Sequence, residues 1–477
     1  MSRAIWIALV CAVATAHASP RTDPTNGRAV FTGAATPGAP ALELNPAALG
    51  LVATDVWVFY AAAIAVVDRY AIARAHEDPD SGALTPGPTR KDIEIGPGAV
   101  LGVVRNIKDR ASLGFQLHAA PAEVFPAGVD DWKYHTVGGG QRRYGATFGA
   151  SVKLTDELYF GISLALESTY LRIRYARDTA LDAGIDPARG VHSDCGGAPC
   201  GLENPLATEY YDIDVNTSLL SASDALRPNI GIVYELTKGT FLGVSYHMPP
   251  GLAVQNVLTG MMSVRQAPRD GGQLLNGRAT VYLAQPSSLD AELRTRVRPD
   301  LDLHVGLRWE DLSRLAAYDV RVYGPQLTTA GIPEWTERPR GYKDPLAMWA
   351  GVEQVDANAS DVFRFGARVG FETSSVVPSR TSPLTISPTS VTADIGVQLR
   401  LAPELAIQAT YGFQYFPSVH VTNSAFDPRD RLLCQESGYD YSTGECAAVR
   451  NGYAIASGAG DYDRMQHALR LALRYEY

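Results

Sequence analysis

The sequence predicts an all-β fold, a 14-stranded antiparallel transmembrane β-barrel that a small-residue N-terminal segment precedes. Three observations predict it. Segment after segment alternates apolar and polar residues with a period of two, which gives a strand one apolar and one polar face. The connections alternate short and long, as do the periplasmic turns and outer loops of a single-chain bacterial barrel. The last segment, residues 461–477, sets Tyr477, Tyr475, Leu473, Leu471 and Leu469 on one face and Glu476, Arg474, Ala472, Arg470 and Ala468 on the other. Apolar residues facing lipid and arginines facing water fit a barrel better than a soluble sandwich.

The chain has 477 residues, 46% of them hydrophobic, and a net charge of -9. After the N-terminus no run of 18 or more apolar residues occurs. That excludes a helical membrane protein, but not a barrel, whose strands show lipid only every second residue. The acidic balance argues against a nucleic-acid partner. Residues 1–18 read as a signal peptide. Arg3 supplies the positive end, residues 4–14 the short apolar core, and Ala16-His17-Ala18 the small-x-small cleavage site. Cys195, Cys200, Cys434 and Cys446 remain after cleavage. An even count in an exported chain points to disulfides. Pairing within each local pair is the simplest connectivity, and a cross-loop pairing stays open. The spacings are not those of a zinc site, and no metal or other cofactor is expected.

Residues 19–53 are rich in Gly, Ala, Pro and Thr and have no period. That composition suits a disordered leader or a compact plug. The barrel is read over residues 54–477. Strand 1 covers residues 54–67, with Val56, Val58, Tyr60, Ala62 and Ile64 on one side, and strand 2 covers residues 93–105. Strand 3 starts near Asp109 and turns Leu113, Phe115 and Leu117 outward. Strand 4 sets Tyr144, Ala146 and Phe148 against Arg143, Gly145 and Thr147. Strand 5 opens with Leu158, Phe160, Ile162, Leu164 and Leu166, then changes phase to Leu171, Ile173 and Tyr175, which predicts a bulge. Strands 6, 7 and 8 carry Ile232, Val244 and Ala291 on their apolar faces. Strand 9 sets Leu303, Val305 and Leu307 against Asp302, His304, Arg308 and Glu310. Strand 10 carries Met348 and Val352. Strand 11 alternates Phe363, Phe365 and Val369 with Arg364, Arg368 and Glu372. Strand 12 alternates Val391, Ile395 and Leu399 with Asp394, Gln398 and Arg400, and strand 13 alternates Ile407 and Tyr411 with Gln408 and Thr410. The closing segment is strand 14, which pairs with strand 1 and so removes both sheet edges. Long connections lie near residues 68–92, 119–139, 176–225, 248–276, 322–342, 373–387 and 417–460, and two of these hold the four cysteines.

Four stretches carry a resemblance. Asn26-Gly-Arg-Ala-Val-Phe-Thr-Gly-Ala through Leu44-Asn45-Pro46-Ala47-Ala48-Leu49 resembles the N-terminal hatch of FadL-type outer-membrane transporters of hydrophobic compounds. Arg227-Pro-Asn-Ile-Gly-Ile-Val-Tyr followed by Thr240-Phe-Leu-Gly-Val-Ser-Tyr resembles that family's middle hairpin. Leu307-Arg-Trp-Glu-Asp resembles its tryptophan-bearing strand, and Phe363-Arg-Phe-Gly-Ala-Arg-Val-Gly-Phe with Ser375-Val-Val-Pro-Ser-Arg-Thr its late strand and loop. The resemblance implies that residues 19–53 form a hatch plugging the lumen, with the Asn45-Pro46-Ala47 turn inside it. It implies passive uptake of hydrophobic compounds, with long-chain fatty acids the substrates of the best-known members. It also implies sideways exit through a gap at a kinked third strand, where Pro121 can end or bend the strand here. The loop after Val377 departs from the family pattern, with Ser387-Pro388 in place of Pro-Asp.

A fatty acid needs an apolar groove and a polar handle for its carboxylate. Inward Arg308, Arg364, Arg368 and Arg400 are candidate handles, because a guanidinium can hold a carboxylate bidentately. The plainer reading, placed ahead, pairs them with inward Asp302, Glu310, Glu372 and Asp394 as lumen filling. No nucleophile with a base beside it is apparent among the scattered histidines, so no enzyme is expected. The chain is expected to be a monomer in a Gram-negative outer membrane. Its expected partners are a hydrophobic small molecule, membrane lipid and, through the terminal Tyr477, the barrel assembly machinery. The competing readings are a general diffusion porin and an adhesin that presents its loops.

Overall fold

The computed structural model describes residues 30–77, 83–128, 132–179, 204–217, 225–250, 256–355, 362–425 and 458–477. Residues 1–18, read above as a signal peptide, and Cys195, Cys200, Cys434 and Cys446 lie outside the described residues. In chain order the strands are β1 (Trp57–Glu77), β2 (Leu84–Pro86), β3 (Arg90–Ile107), β4 (Ala111–Ala119), β5 (Glu123–Phe125), β6 (Gly138–Lys153), β7 (Leu158–Asp178), β8 (Thr208–Asn216), β9 (Leu226–Thr237), β10 (Thr240–His247) and β11 (Asn256–Arg265). They continue with β12 (Leu274–Leu283), β13 (Ser288–Arg298), β14 (Leu301–Glu310), β15 (Ala317–Tyr323), β16 (Trp335–Pro339), β17 (Leu346–Gln354), β18 (Phe363–Glu372), β19 (Ser390–Ala402), β20 (Leu405–Val421) and β21 (Gly460–Glu476).

Fourteen of these close a ring of antiparallel neighbours. The order is β1, β3, β4, β6, β7, β9, β10, β13, β14, β17, β18, β19, β20 and β21. β21 then returns to β1 over a register running from Val58↔Glu476 to Arg74↔Gly460. Each of the fourteen predicted strands has its counterpart in this ring. The outward residues are the apolar ones: Phe148 is 63% exposed, Ile395 62% and Leu471 52%. Ser151, Thr410 and Arg470 face in and are buried. The two ends of the ring meet at one rim, where the Trp57 N–H donates to the Tyr477 carbonyl at 2.8 Å. No helix among the described residues is long and apolar enough to cross a membrane, so strands do the crossing.

Three expectations need correction. First, β1 starts at Trp57 and runs ten residues past the expected end at Val67, entering the stretch read as an outer loop, because β21 and β3 pair with it on both sides. Its apolar set Val58, Tyr60, Ala62 and Ile64 faces inward, against the N-terminal segment. Second, β7 has no bulge: its pairing with β6 runs unshifted from Gly138↔Arg174 to Lys153↔Tyr159. Leu171, Ile173 and Tyr175 lie on the same inward face as Ser163 and Glu167. Only the chemistry of that face changes, from polar inside the barrel to apolar above it.

Third, several of the long connections carry strands among the described residues. Above the ring, the upper half of β7 continues into a further sheet, β8, β11, β12, β15 and β16. β9 covers β7 only from Leu158 to Leu166, and β8 takes over that edge from Tyr170. The inner face of this extension is a second core of Leu171, Ile173, Ile213, Val215, Val264, Val281 and Val320. That burial is why the phase change in β7 is there.

Candidate functional site

Residues 30–52 run inside the ring. A short helix α1 (Ala41–Leu44) leads through Asn45 into a 3-10 turn, Pro46–Leu51. Asn45 is fully buried. Its Oδ1 accepts the Ala47 N–H at 3.1 Å, and its Nδ2 donates to the Ala34 carbonyl at 2.7 Å and the Ile232 carbonyl of β9 at 3.0 Å. Pro46 follows at the first turn position, where its missing N–H leaves no bond unmade. So the predicted Asn-Pro-Ala turn both caps its own backbone and ties it to the wall.

This segment has little secondary structure, and the wall supplies the bonds it lacks. Ser163 Oγ donates to the Leu42 carbonyl at 2.8 Å, Ser245 to Leu44 at 2.5 Å and Ser151 to Ala47 at 3.0 Å. Asn106 Nδ2 donates to the Val52 carbonyl at 2.6 Å, and the Phe31 N–H donates to Glu353 at 2.7 Å. The seat is lined with glycine where the approach is tightest. A Cβ on Gly161 would overlap Pro46 and Ala47, and one on Gly149 would lie 2.6 Å from Leu42 Cδ2.

Glu43 is the one charged residue in residues 30–52. It is buried and accepts a hydrogen bond from the Thr147 hydroxyl of β6. Its carboxylate lies 3.6 Å from His118 Nδ1 on β4 and 3.9 Å from Arg227 on β9. Arg227 also binds Glu167 of β7 at 3.0 Å. A second buried group joins Arg308 to Asp290 (3.7 Å) and Glu310 (3.5 Å), and His247 to Asp290 (3.0 Å). A third puts His304 between Glu292 (3.3 Å) and Glu353 (3.4 Å). Ser245, His247 and Asp290 lie close together, but the hydroxyl and the carboxylate both meet His247 Nε2. The Ser245 hydroxyl already donates to Leu44, so the three form no proton relay. No group of His, Cys, Asp and Glu among the described residues is arranged to hold a metal ion.

The four candidate arginines do not converge. Arg308 sits in the second charged group and also donates to Ser288 at 3.3 Å. Arg368 donates to the Thr32 carbonyl at 2.7 Å and lies over the Trp349 ring. Arg364 and Arg400 share a polar recess at the rim of the closing strand, with Glu404 and Glu476. Asp302 binds Arg296 rather than Arg308, and Glu372 accepts from Gln414.

Sequence reasoning missed the cations above residues 30–52. Arg338 stacks on Tyr175 at 3.6 Å from the ring centroid and donates to the His135 carbonyl. Arg340 lies 4.0 Å from the Tyr318 centroid. Burial, with Arg74 and Arg338 beside it, holds the His135 imidazole well below its usual pKa, so it is neutral. Next to this layer is a cavity of about 60 Å³ lined by Arg143, Gln285, Tyr318, Tyr342, Leu312 and Pro121, among others. Pro121 reaches it because β4 stops at Ala119. Pairing with β6 resumes at Glu123↔Gln141, one residue out of step with Ala119↔Tyr144.

The molecule is therefore a closed 14-stranded barrel with a lipid-facing apolar belt and its own N-terminal segment seated in the lumen, which makes it an outer-membrane protein. Its fold is that of FadL-type barrels. It is similar to a Pseudomonas aeruginosa FadL homologue (16% identity over 97% of this chain and 99% of that one, TM-score 0.70). It is also similar to the P. putida toluene transporter TodX (15%, 92% and 94%, TM-score 0.61) and to the CymD monoaromatic hydrocarbon channel (14%, 97% and 98%, TM-score 0.60). No protein-family model and no curated protein matches the sequence.

Proposed function

We propose that this chain is a passive outer-membrane transporter of hydrophobic compounds, of the FadL type, with residues 30–52 as its hatch. The observation that carries the reading is the seat. A segment with a single charge fills the lumen and is bonded to strands all round the wall, which opposes a continuous water path. The exit assigned to an apolar molecule is the break at Ala120–Ala122, where only the Ala120 N–H to the Arg143 carbonyl (2.8 Å) and the Ala122 N–H to the Pro97 carbonyl (3.2 Å) bridge to the neighbouring strands and Pro121 faces the cavity. The proposed cargo carries a carboxylate, with long-chain fatty acids first. Arg143 lines the cavity and Arg338 and Arg340 lie beside it, and a guanidinium binds a carboxylate more strongly than any neutral group. A cavity of about 60 Å³ is too small for such a chain, so passage involves movement of the hatch.

The test is planar-bilayer conductance together with uptake by reconstituted vesicles. The intact protein should conduct ions weakly and admit oleate, and deleting residues 28–48 should raise conductance. High conductance unchanged by the deletion would mean a diffusion porin.

A further inference from the structure

The sheet above the barrel has an outer face as well as a core face. Alternate residues of its strands put Tyr170, Arg172 and Arg174 (β7), Asp212 and Asp214 (β8), Arg265 (β11), Arg278 (β12), Asp319, Arg321 and Tyr323 (β15) and Trp335 and Glu337 (β16) on that face. Arg142 of β6 joins them, opposite Tyr170. The accessible part of the face therefore carries six arginines against four carboxylates, a fifth, Asp178 at the end of β7, being buried. Asp212 is shared between Arg172 (2.6 Å) and Arg174 (3.5 Å), and Asp319 binds Arg321 at 3.2 Å. Arg142, Arg265 and Arg278 are exposed. The face continues the lipid-contact wall directly: on β6, Phe148, Tyr144 and Arg142 point outward in turn, so Arg142 stands where the apolar belt ends. Exposed Tyr323 and Trp335 alternate with the cations, as amphipathic rings do at a membrane interface.

We infer that this face binds the phosphate groups of anionic lipid in the outer leaflet. Arg142, Arg172 and Arg174 form one seat. Arg278 and Arg321, diagonal neighbours across β12 and β15, form a second. Guanidinium groups suit this role because two N–H donors meet two phosphate oxygens. The surplus of positive charge and the continuity with the lipid belt favour lipid over a protein partner.

The test is native mass spectrometry of the full chain with diphosphoryl lipid A and with its dephosphorylated form. The wild type should retain the phosphorylated lipid at least tenfold better. The triple variant Arg142→Gln, Arg174→Gln, Arg278→Gln should lose that preference, and the same three positions changed to Lys should keep most of it. Heat-modifiable gel mobility checks that each variant is a folded barrel. Equal retention of both lipids by the wild type, or a preference unchanged in the folded Gln variant, overturns the inference. So does a dimer that forms without lipid and disappears in the Gln variant, because a second copy would then occupy the face.

Discussion

Gly161→Ala is the sharpest test of the seat. Gly161 lies inward on β7, and the added Cβ would overlap backbone atoms of Pro46 and Ala47 rather than the end of a flexible side chain. The turn has little freedom to yield. Ala47 is held through its N–H by Asn45 Oδ1 at 3.1 Å and through its carbonyl by Ser151 at 3.0 Å, and Asn45 is tied to Ile232 at 3.0 Å. Overpacking of this kind costs about 1–3 kcal/mol, and each hydrogen bond lost in relieving it costs about 0.5–1.5 kcal/mol. Unseating should thus become easier by about 2–4 kcal/mol, which is roughly 30- to 900-fold in the ratio of unseated to seated hatch. The barrel ladders keep their bonds, because the clash is with the hatch alone. Single-channel recording should show frequent openings in the variant at unchanged heat-modifiable gel mobility. Combining Gly161→Ala with deletion of residues 28–48 should add nothing to the conductance of the deletion. Wild-type conductance in the folded single variant would refute the reasoning.

Three further outcomes are expected. Arg227→Ala leaves Glu43 and Glu167 buried with only His118 between them, at 3.6 and 3.7 Å; the loss should be at most about 3–5 kcal/mol, read as a lower urea midpoint for hatch protection from protease. Asn45→Ala removes three hydrogen bonds of the turn and should raise open probability, whereas Asn45→Asp should restore only the bond to the Ala47 N–H. Arg340→Met should slow oleate uptake by about tenfold or more, the scale of a charge-assisted bond, and leave toluene uptake unchanged; equal slowing of both would remove Arg340 as a carboxylate handle.

The ring was legible because lipid outside and water inside impose a period of two on every strand. β19 and β20 show it plainly, since Val391 to Leu401 and Leu405 to Tyr415 alternate without a break. The reading failed where a strand meets something other than lipid or water. In β1 the inner face touches the hatch and is as apolar as the outer one. In β7 the inner face passes from the lumen into the second core, and an unbroken alternation looked like a slip. The charged lumen groups were hidden for another reason. Glu43, His118, Glu167 and Arg227 come from four elements spanning nearly 200 positions, and only the register between strands brings them together. One signal was available: Glu43 is the sole charge in a segment otherwise made of small and apolar residues, and a lone buried carboxylate requires a partner.

The same features explain how such a hatch can move without endangering the fold. Apart from the break after β4, the barrel strands have their backbone bonds completed by two neighbours, and β1 to β21 closes the ring without help from residues 30–52. The hatch has few bonds of its own and borrows the rest from side chains of the wall: Ser151, Ser163, Ser245 and Asn106. A segment held in this way forms a cooperative unit separate from its container and less stable than it. Polar borrowed bonds also exchange readily with water, whereas an apolar plug packed tightly all round would resist entry. The single Glu43 fixes the seat, because only one position in the lumen offers Arg227, His118 and Thr147 together. A hatch with several charges would leave some of them unpaired whenever it shifted.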